Sequence, residues 1–205
     1  MIRAVGLSTS LRPNTRMHPT AAARCGTAAA GDAQSLGIPQ GGHVTRIVQA
    51  ASPAEIDAAR GLFKEYAAWL GLDLSLQDIE AELAALPGDY APPRGQLLLA
   101  IDDDSAIGCV GLRPLDWPEV AELKRLYVTP LGRGRRLGVQ LSEAAISLAR
   151  DIGYRLVRLD TLPTMSTAQR VYESLGFHEI DAYRFNPVSG TRDMEVEVTP
   201  EGECQ

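Results

Sequence analysis

The stretch Glu122–Gly138, ELKRLYVTPLGRGRRLG, constrains this chain more than any other. Alternating polar and apolar residues predict a strand. Val128-Thr129-Pro130 ends it, and three glycines and three arginines fill a turn. Leu137, Leu141, Ala145, Leu148 and Ile152 then recur at helical spacing. A strand feeding a helix through a tight turn is an α/β unit. The start of a helix presents unpaired N–H groups and about half a positive charge, so added cations there are disfavoured by roughly 0.3 to 1 kcal/mol each. Arg133, Arg135 and Arg136 at that point call for a bound anion, and arginine forks suit phosphate oxygens.

Three nucleotide-type loops compete for this turn. The Walker loop requires a Lys-Ser/Thr end that is missing, which argues against ordinary phosphoryl transfer. The dinucleotide fingerprint is nearly met by Gly132, Gly134 and Gly138, with the third glycine one residue late. The third pattern, (Q/R)-x-x-G-x-(G/A) after a strand ending in V-x-P, fits Arg133, Gly134, Arg135, Arg136, Leu137 and Gly138, with Arg136 in place of the first motif glycine. Further on, Ala168, Val171, Tyr172, Gly176 and Phe177 spell A-x-x-(L/V)-Y-x-x-x-G-F. The two motifs together resemble those of the GNAT family of N-acyltransferases.

That resemblance implies an acetyl-CoA-dependent N-acetyltransferase working by direct attack in a ternary complex. Arg133, Gly134, Arg135, Arg136, Leu137 and Gly138 would hold the pyrophosphate, and the strand Leu126-Tyr127-Val128 would pair with the pantetheine arm. Tyr172 would protonate the departing thiolate, as a phenol with a pKa of about 10 can. Glu122 would help deprotonate the amine, with Glu119 as the alternative. The family often carries an asparagine seven residues before the tyrosine, where this chain has Met165. Period-two alternation puts the side chains of residues 122, 124, 126 and 128 on one face.

The remaining elements read in order. A strand is expected over Thr45–Ala50, then a helix opened by the capping box Ser52/Glu55 with Pro53 at its first position. A second helix is expected from Ser75, with Asp78 three residues on, to the Pro87-Gly88 stop. Strands follow at Gln96–Ile101, Ile107–Arg113, Glu119–Val128 and, after the Leu137 helix, Arg155–Leu159. The Tyr172 helix and two strands near His178–Phe185 and Thr191–Val198 complete the set. The order matches the GNAT fold over residues 45 to 198. That fold is an α/β (α+β) arrangement in which a mixed, mostly antiparallel sheet, flanked by about four helices, splays between strands four and five.

At 205 residues and 45% apolar content, one catalytic domain over residues 45–205 is expected. Residues 1–44, rich in Ala, Gly, Thr, Pro and Arg, read as a disordered tail. Their acid-poor composition is similar to an organelle transit peptide, and a true start at Met17 or later fits equally. They carry net +3, so a chain total of −6 leaves −9 on the remainder, which disfavours nucleic acid and suits a cationic amine. Cys25, Cys109 and Cys204 show no paired spacing and no Cys/His cluster resembles a metal site, so a reduced, cytoplasmic setting and no metal are expected. Cys109, in an apolar strand without a nearby histidine, is a poor acyl-carrying nucleophile. No stretch could span a membrane.

The acceptor is open among a small amine, an amino acid and a peptide amine. Tyr66, Trp69, Tyr90, Arg94, Tyr183, Arg184 and Phe185 are candidate lining residues. A homodimer is neither indicated nor excluded. A non-catalytic acyl-CoA-binding or regulatory module of the same fold is the alternative function, and a dinucleotide-dependent oxidoreductase the third.

Overall fold

The structure is a computed structural model that describes residues 45–71 and 79–198. The expectations for residues 1–44 and for a helix start at Ser75 and Asp78 lie outside the described residues. Eleven elements follow one another: β1 (Thr45–Gln49), α1 (Pro53–Leu70), α2 (Ile79–Ala85), β2 (Gln96–Asp102), β3 (Ser105–Pro114), β4 (Val120–Val128), α3 (Leu137–Ile152), β5 (Leu156–Thr161), α4 (Ser166–Ser174), β6 (His178–Ile180) and β7 (Arg192–Glu197). The strands form one sheet in the order β1-β2-β3-β4-β5-β7-β6, antiparallel throughout except for β4 beside β5.

Local chemistry explains the helix ends. The Ser52 side chain accepts from the Glu55 amide while the Glu55 carboxylate accepts from the Ser52 and Ala51 amides, so α1 starts on a complete capping box. Gly71 ends it in the left-handed conformation that glycine adopts without a steric penalty.

The sheet buries both faces. Leu97, Leu99 and Ile101 of β2 pack with Phe63 of α1 and Leu83 of α2. Leu98 and Ala100 point the other way into a core with Leu141, Ala145 and Ala149 of α3. Each fully buried leucine contributes roughly 1.5 to 3 kcal/mol. The Tyr90 ring packs against β3 at Gly111, where any Cβ would collide with it. This close approach explains why the strand carries a glycine there.

Two strands differ from expectation. β5 runs to Thr161, because each residue from Leu156 onward pairs with β7, including Asp160 with Asp193. The expected strand to Phe185 stops at Ile180, since β6 pairs with β7 at three positions only. The chain then turns back over the sheet, where the Asn186 side chain accepts from the Val188 amide.

Candidate active site

β4 pairs with β5 only over Val120–Glu122, opposite Leu156–Arg158. Beyond Glu122 the two strands separate, leaving the β5-facing edge of Leu126–Val128 outside the β4–β5 ladder. At the mouth of that gap β4 carries one extra residue: Lys124 faces Gly111 and Tyr127 faces Cys109, so Arg125 and Leu126 together oppose Val110. Arg125 takes a φ of 59°. The bulge reverses the alternation downstream. Ala121, Leu123, Leu126 and Val128 meet the core on the α3 side, whereas Tyr127 joins the α1 side. Residues 122, 124, 126 and 128 therefore do not share a face, because an inserted residue shifts the period of two by one.

Two interactions hold the bulge. The Arg125 guanidinium grips Glu82 of α2 at 2.6 and 3.2 Å, and Tyr90 donates to the same carboxylate at 2.6 Å. The Cys109 thiol points at the Arg125 carbonyl, 3.5 Å away. Burial pushes this thiol well above its ordinary range, which leaves it a packing group and not a nucleophile.

Past the bulge, a short 3-10 turn (Pro130–Gly132) leads to α3. Gly134 sits at φ 79°, and a Cβ at Gly134 or Gly138 would meet nothing within 4 Å, so space stands open over the turn. Arg136, the residue before α3, has a φ of 58° and provides no side-chain cap, leaving the first amides of α3 to a ligand or solvent. The three arginines have separate fates. Arg135 is ion-paired with Asp102 at 2.8 Å and bonded to Thr45, so its side chain fastens the turn to the β1–β2 edge instead of reaching a phosphate. Arg133 lies 5.9 Å from the Trp69 ring, and Arg136 is exposed. The side chains of Tyr127 and Leu137 are buried in the core, so each can serve a ligand only through its backbone. The hydroxyl of Thr129, buried at this end of the gap, and that of Thr161, buried at the end of β5, have no partner among the described residues.

A small cavity of about 40 Å³ lies in the gap itself, lined by Tyr66, Lys124, Leu126, Asp160, Met165 and Tyr172 among others. Tyr172 is buried, with its ring 5.6 Å from that of Phe177, and burial raises its phenol far above the ordinary value. It is therefore held in the protonated form. Tyr66, across the cavity on α1, is pushed up to about 12 by burial.

Glu122 has no exposed surface. One of its oxygens accepts from Arg113 at 2.7 and 2.8 Å, and the other takes Tyr183 and Arg184, each at 2.6 Å. Both of its oxygens are thus engaged by protein donors, and Glu122 is not among the residues lining the cavity. Glu119 lies exposed at the far end of β4, where its carbonyl accepts from the amides that open β5. The carboxylate on the cavity wall is Asp160. Burial raises its pKa, but Lys124, 3.5 Å away, and Arg184 more than reverse this and hold it below the ordinary value.

Asp160, Lys124, Arg113 and Arg125 were outside the site expected from sequence. The available signal was a charged residue inside otherwise apolar strands, as in Leu159-Asp160-Thr161-Leu162. Of the expected lining residues, Tyr66, Tyr183 and Arg184 gather at the gap. Tyr90 is in the core behind β3, and Arg94 sits by Tyr154 and Pro118. Phe185 is 89% exposed. Among the described residues no group of His, Cys, Asp or Glu is placed to hold a metal ion, and no helix is long and apolar enough to cross a membrane.

Comparison with known proteins gives this geometry a family. The profile of the acetyltransferase (GNAT) family matches residues 58–177. An uncharacterised N-acetyltransferase of Schizosaccharomyces pombe is 38% identical over 72% of this chain and 91% of its own length. One from Dictyostelium discoideum is 30% identical over 71% and 94%. Among solved structures, a GNAT acetyltransferase of Staphylococcus aureus superposes with a TM-score of 0.62 at 21% identity, covering 76% of this chain and all of that one. The PaiA N-acetyltransferase of Thermoplasma acidophilum, solved in complex with coenzyme A, gives 0.61 at 19% identity over 75% of this chain and 99% of its own. The chain belongs to the GNAT family and is an acetyltransferase.

Proposed function

We propose that this enzyme moves an acetyl group from acetyl-CoA to a primary amine by direct attack, both substrates being bound together. The observation that carries this reading is the β4–β5 gap. It has a buried, protonated phenol on one wall and the Lys124–Asp160 pair on the other.

Bound acetyl-CoA supplies a thioester whose sulfur leaves as the new amide forms. The chain does the rest. The edge of Leu126–Val128, unpaired on the β5 side, offers backbone groups to an extended arm, as an added strand would. The amides of Arg136, Leu137 and Gly138 and the Arg133 and Arg136 guanidinium groups face the pyrophosphate. Arg135 supports the turn from behind.

As the amine nitrogen bonds to the acetyl carbon and the carbon–sulfur bond breaks, the Tyr172 hydroxyl gives its proton to the sulfur. The nitrogen's proton leaves toward Asp160, directly or through a water; Asp160 then releases it to solvent, which also restores the phenol. Glu122 acts from beneath by holding Arg184 and Lys124 against Asp160.

Thiol release from acetyl-CoA in the presence of an amine panel tests the reading. Tyr172→Phe is expected to lower kcat about 100-fold or more, within the usual range for general acid catalysis. Its acetyl-CoA Kd should stay within about twofold. An unchanged kcat would remove Tyr172 from the chemistry.

A further inference from the structure

The side-chain cluster at the acceptor end of the gap holds more positive charge than it needs. Arg113, Lys124 and Arg184 converge on Glu122 and Asp160, three cations on two carboxylates, drawn from β3, β4, β5 and the β6–β7 loop. The neighbouring Asp193 forms no ion pair with any of the three cations; it is buried with one oxygen unpartnered among the described residues, and burial raises its pKa.

The vertical order of the charges matters as much as the count. Glu122 is wholly enclosed, whereas the side chains of Arg113 and Arg184 are 23% and 28% exposed and cover it. Arg113 spends its Nε and one terminal nitrogen on Glu122, and Arg184 spends both terminal nitrogens on Glu122 and Asp160. The second terminal nitrogen of Arg113 and the Nε of Arg184 have no protein acceptor among the described residues. An incoming acceptor thus meets guanidinium donors first. Lys124, next to them, opens onto the same cavity as Tyr172. A buried surplus cation is costly, and an anion brought by the substrate would relieve it.

We infer that the amine acceptor carries a carboxylate within a few bonds of its nitrogen, and that Arg113, Lys124 and Arg184 bind it. This rests on the acetyltransferase reading above and narrows its acceptor to free amino acids or close relatives. The carboxylate takes the one remaining nitrogen of each arginine and Lys124, and the amine beside it is directed at Asp160 and the gap. The acidic surface of the chain as a whole, which suits a simple cationic amine, does not extend to this spot.

Matched pairs decide it. Transfer from acetyl-CoA to alanine, glutamate and lysine is compared with transfer to their primary amides, and to a dipeptide amidated at its C-terminus. The acids are expected to have a kcat/KM at least about tenfold above their amides, the size of one charge-assisted contact. The amide's amine is the less basic and more of it is free, so intrinsic reactivity runs against this outcome. In Arg184→Lys and Arg113→Lys the acid-to-amide ratio should fall at least about fivefold, since a lysine cannot hold the internal carboxylates and present a further donor in the fixed geometry of the planar guanidinium. Equal rates for acids and amides, or a ratio unmoved in both variants, would overturn the inference while leaving the acetyltransferase reading intact. Failure to acetylate any amine by a chain that binds acetyl-CoA would remove both.

Discussion

Two arginines flank the gap with the same unusual backbone and opposite surroundings. Arg125, in the β4 bulge, and Arg136, before α3, both have φ near 60°, where glycine is the ordinary occupant and another residue costs about 1 kcal/mol or more. Arg125 is buried and its guanidinium is locked on Glu82, itself held by Tyr90. Arg136 is exposed and its side chain has no partner among the described residues. At the bulge, then, the backbone penalty is offset by a buried ion pair that ties α2 to β4. At the turn the protein supplies no such offset, and a ligand is the remaining candidate. The same local conformation is paired with a buried ion pair in one place and with an open side chain in the other.

That contrast can be broken by experiment, beginning where the effect is largest. Arg125→Gly relieves the backbone but abandons Glu82, so a net loss of about 3 kcal/mol in urea unfolding is expected, near the lower end for breaking a buried pair. No net loss would mean that the Glu82 pair contributes no more than the relieved strain.

The start of α1 provides a reference for the start of α3, because Ser52 caps its helix with a side chain and Arg136 does not. Ser52→Ala should cost about 1 kcal/mol. Arg136→Gly should instead stabilise the domain slightly, by about 0.5 to 1 kcal/mol. If Arg136 binds the pyrophosphate, that same variant should weaken acetyl-CoA binding up to about tenfold, as expected for one charged contact. Tighter binding would show that the side chain obstructs the site.

The smallest effect is in the capping box. Glu55, held by the Ser52 and Ala51 amides and the Ser52 hydroxyl, has its pKa lowered from 4.5 to about 2. A depressed carboxylate stabilises the fold above its unfolded value and loses that contribution as pH falls toward the folded one. The Tm difference between the wild type and Glu55→Gln should therefore shrink from pH 4.5 toward pH 2, and a constant difference would dismiss the box as a charge effect.

The sequence carried some of this far better than the rest, for reasons visible in particular residues. The capping box and the strand–turn–helix at Val128–Leu137 are local, decided by neighbours within a few positions. The β4 bulge was hidden because a left-handed bulge position usually announces itself by glycine, and here it is an arginine. The charged cluster was hidden for another reason. Arg113 and Glu122 are partners across the β3–β4 pair, but Asp160 and Arg184 are far from them in the chain and reach them only through β5 and the return of the β6–β7 loop. Glu122 was legible as a residue of the site, but its enclosure by two arginines and a tyrosine depends on that distant loop.

The extra residue in β4 makes the site depend on chain length and not only on side-chain identity. Substituting Arg125 changes what grips the bulge, yet Leu126 and Val128 stay in step with the α3 core. Deleting it would slide the last three residues of the strand by one, turning Tyr127 toward α3 and the two aliphatic side chains toward α1. A lineage can therefore vary position 125 by point mutation with graded consequences, whereas a one-codon deletion there exchanges the two faces of the end of β4 in a single step.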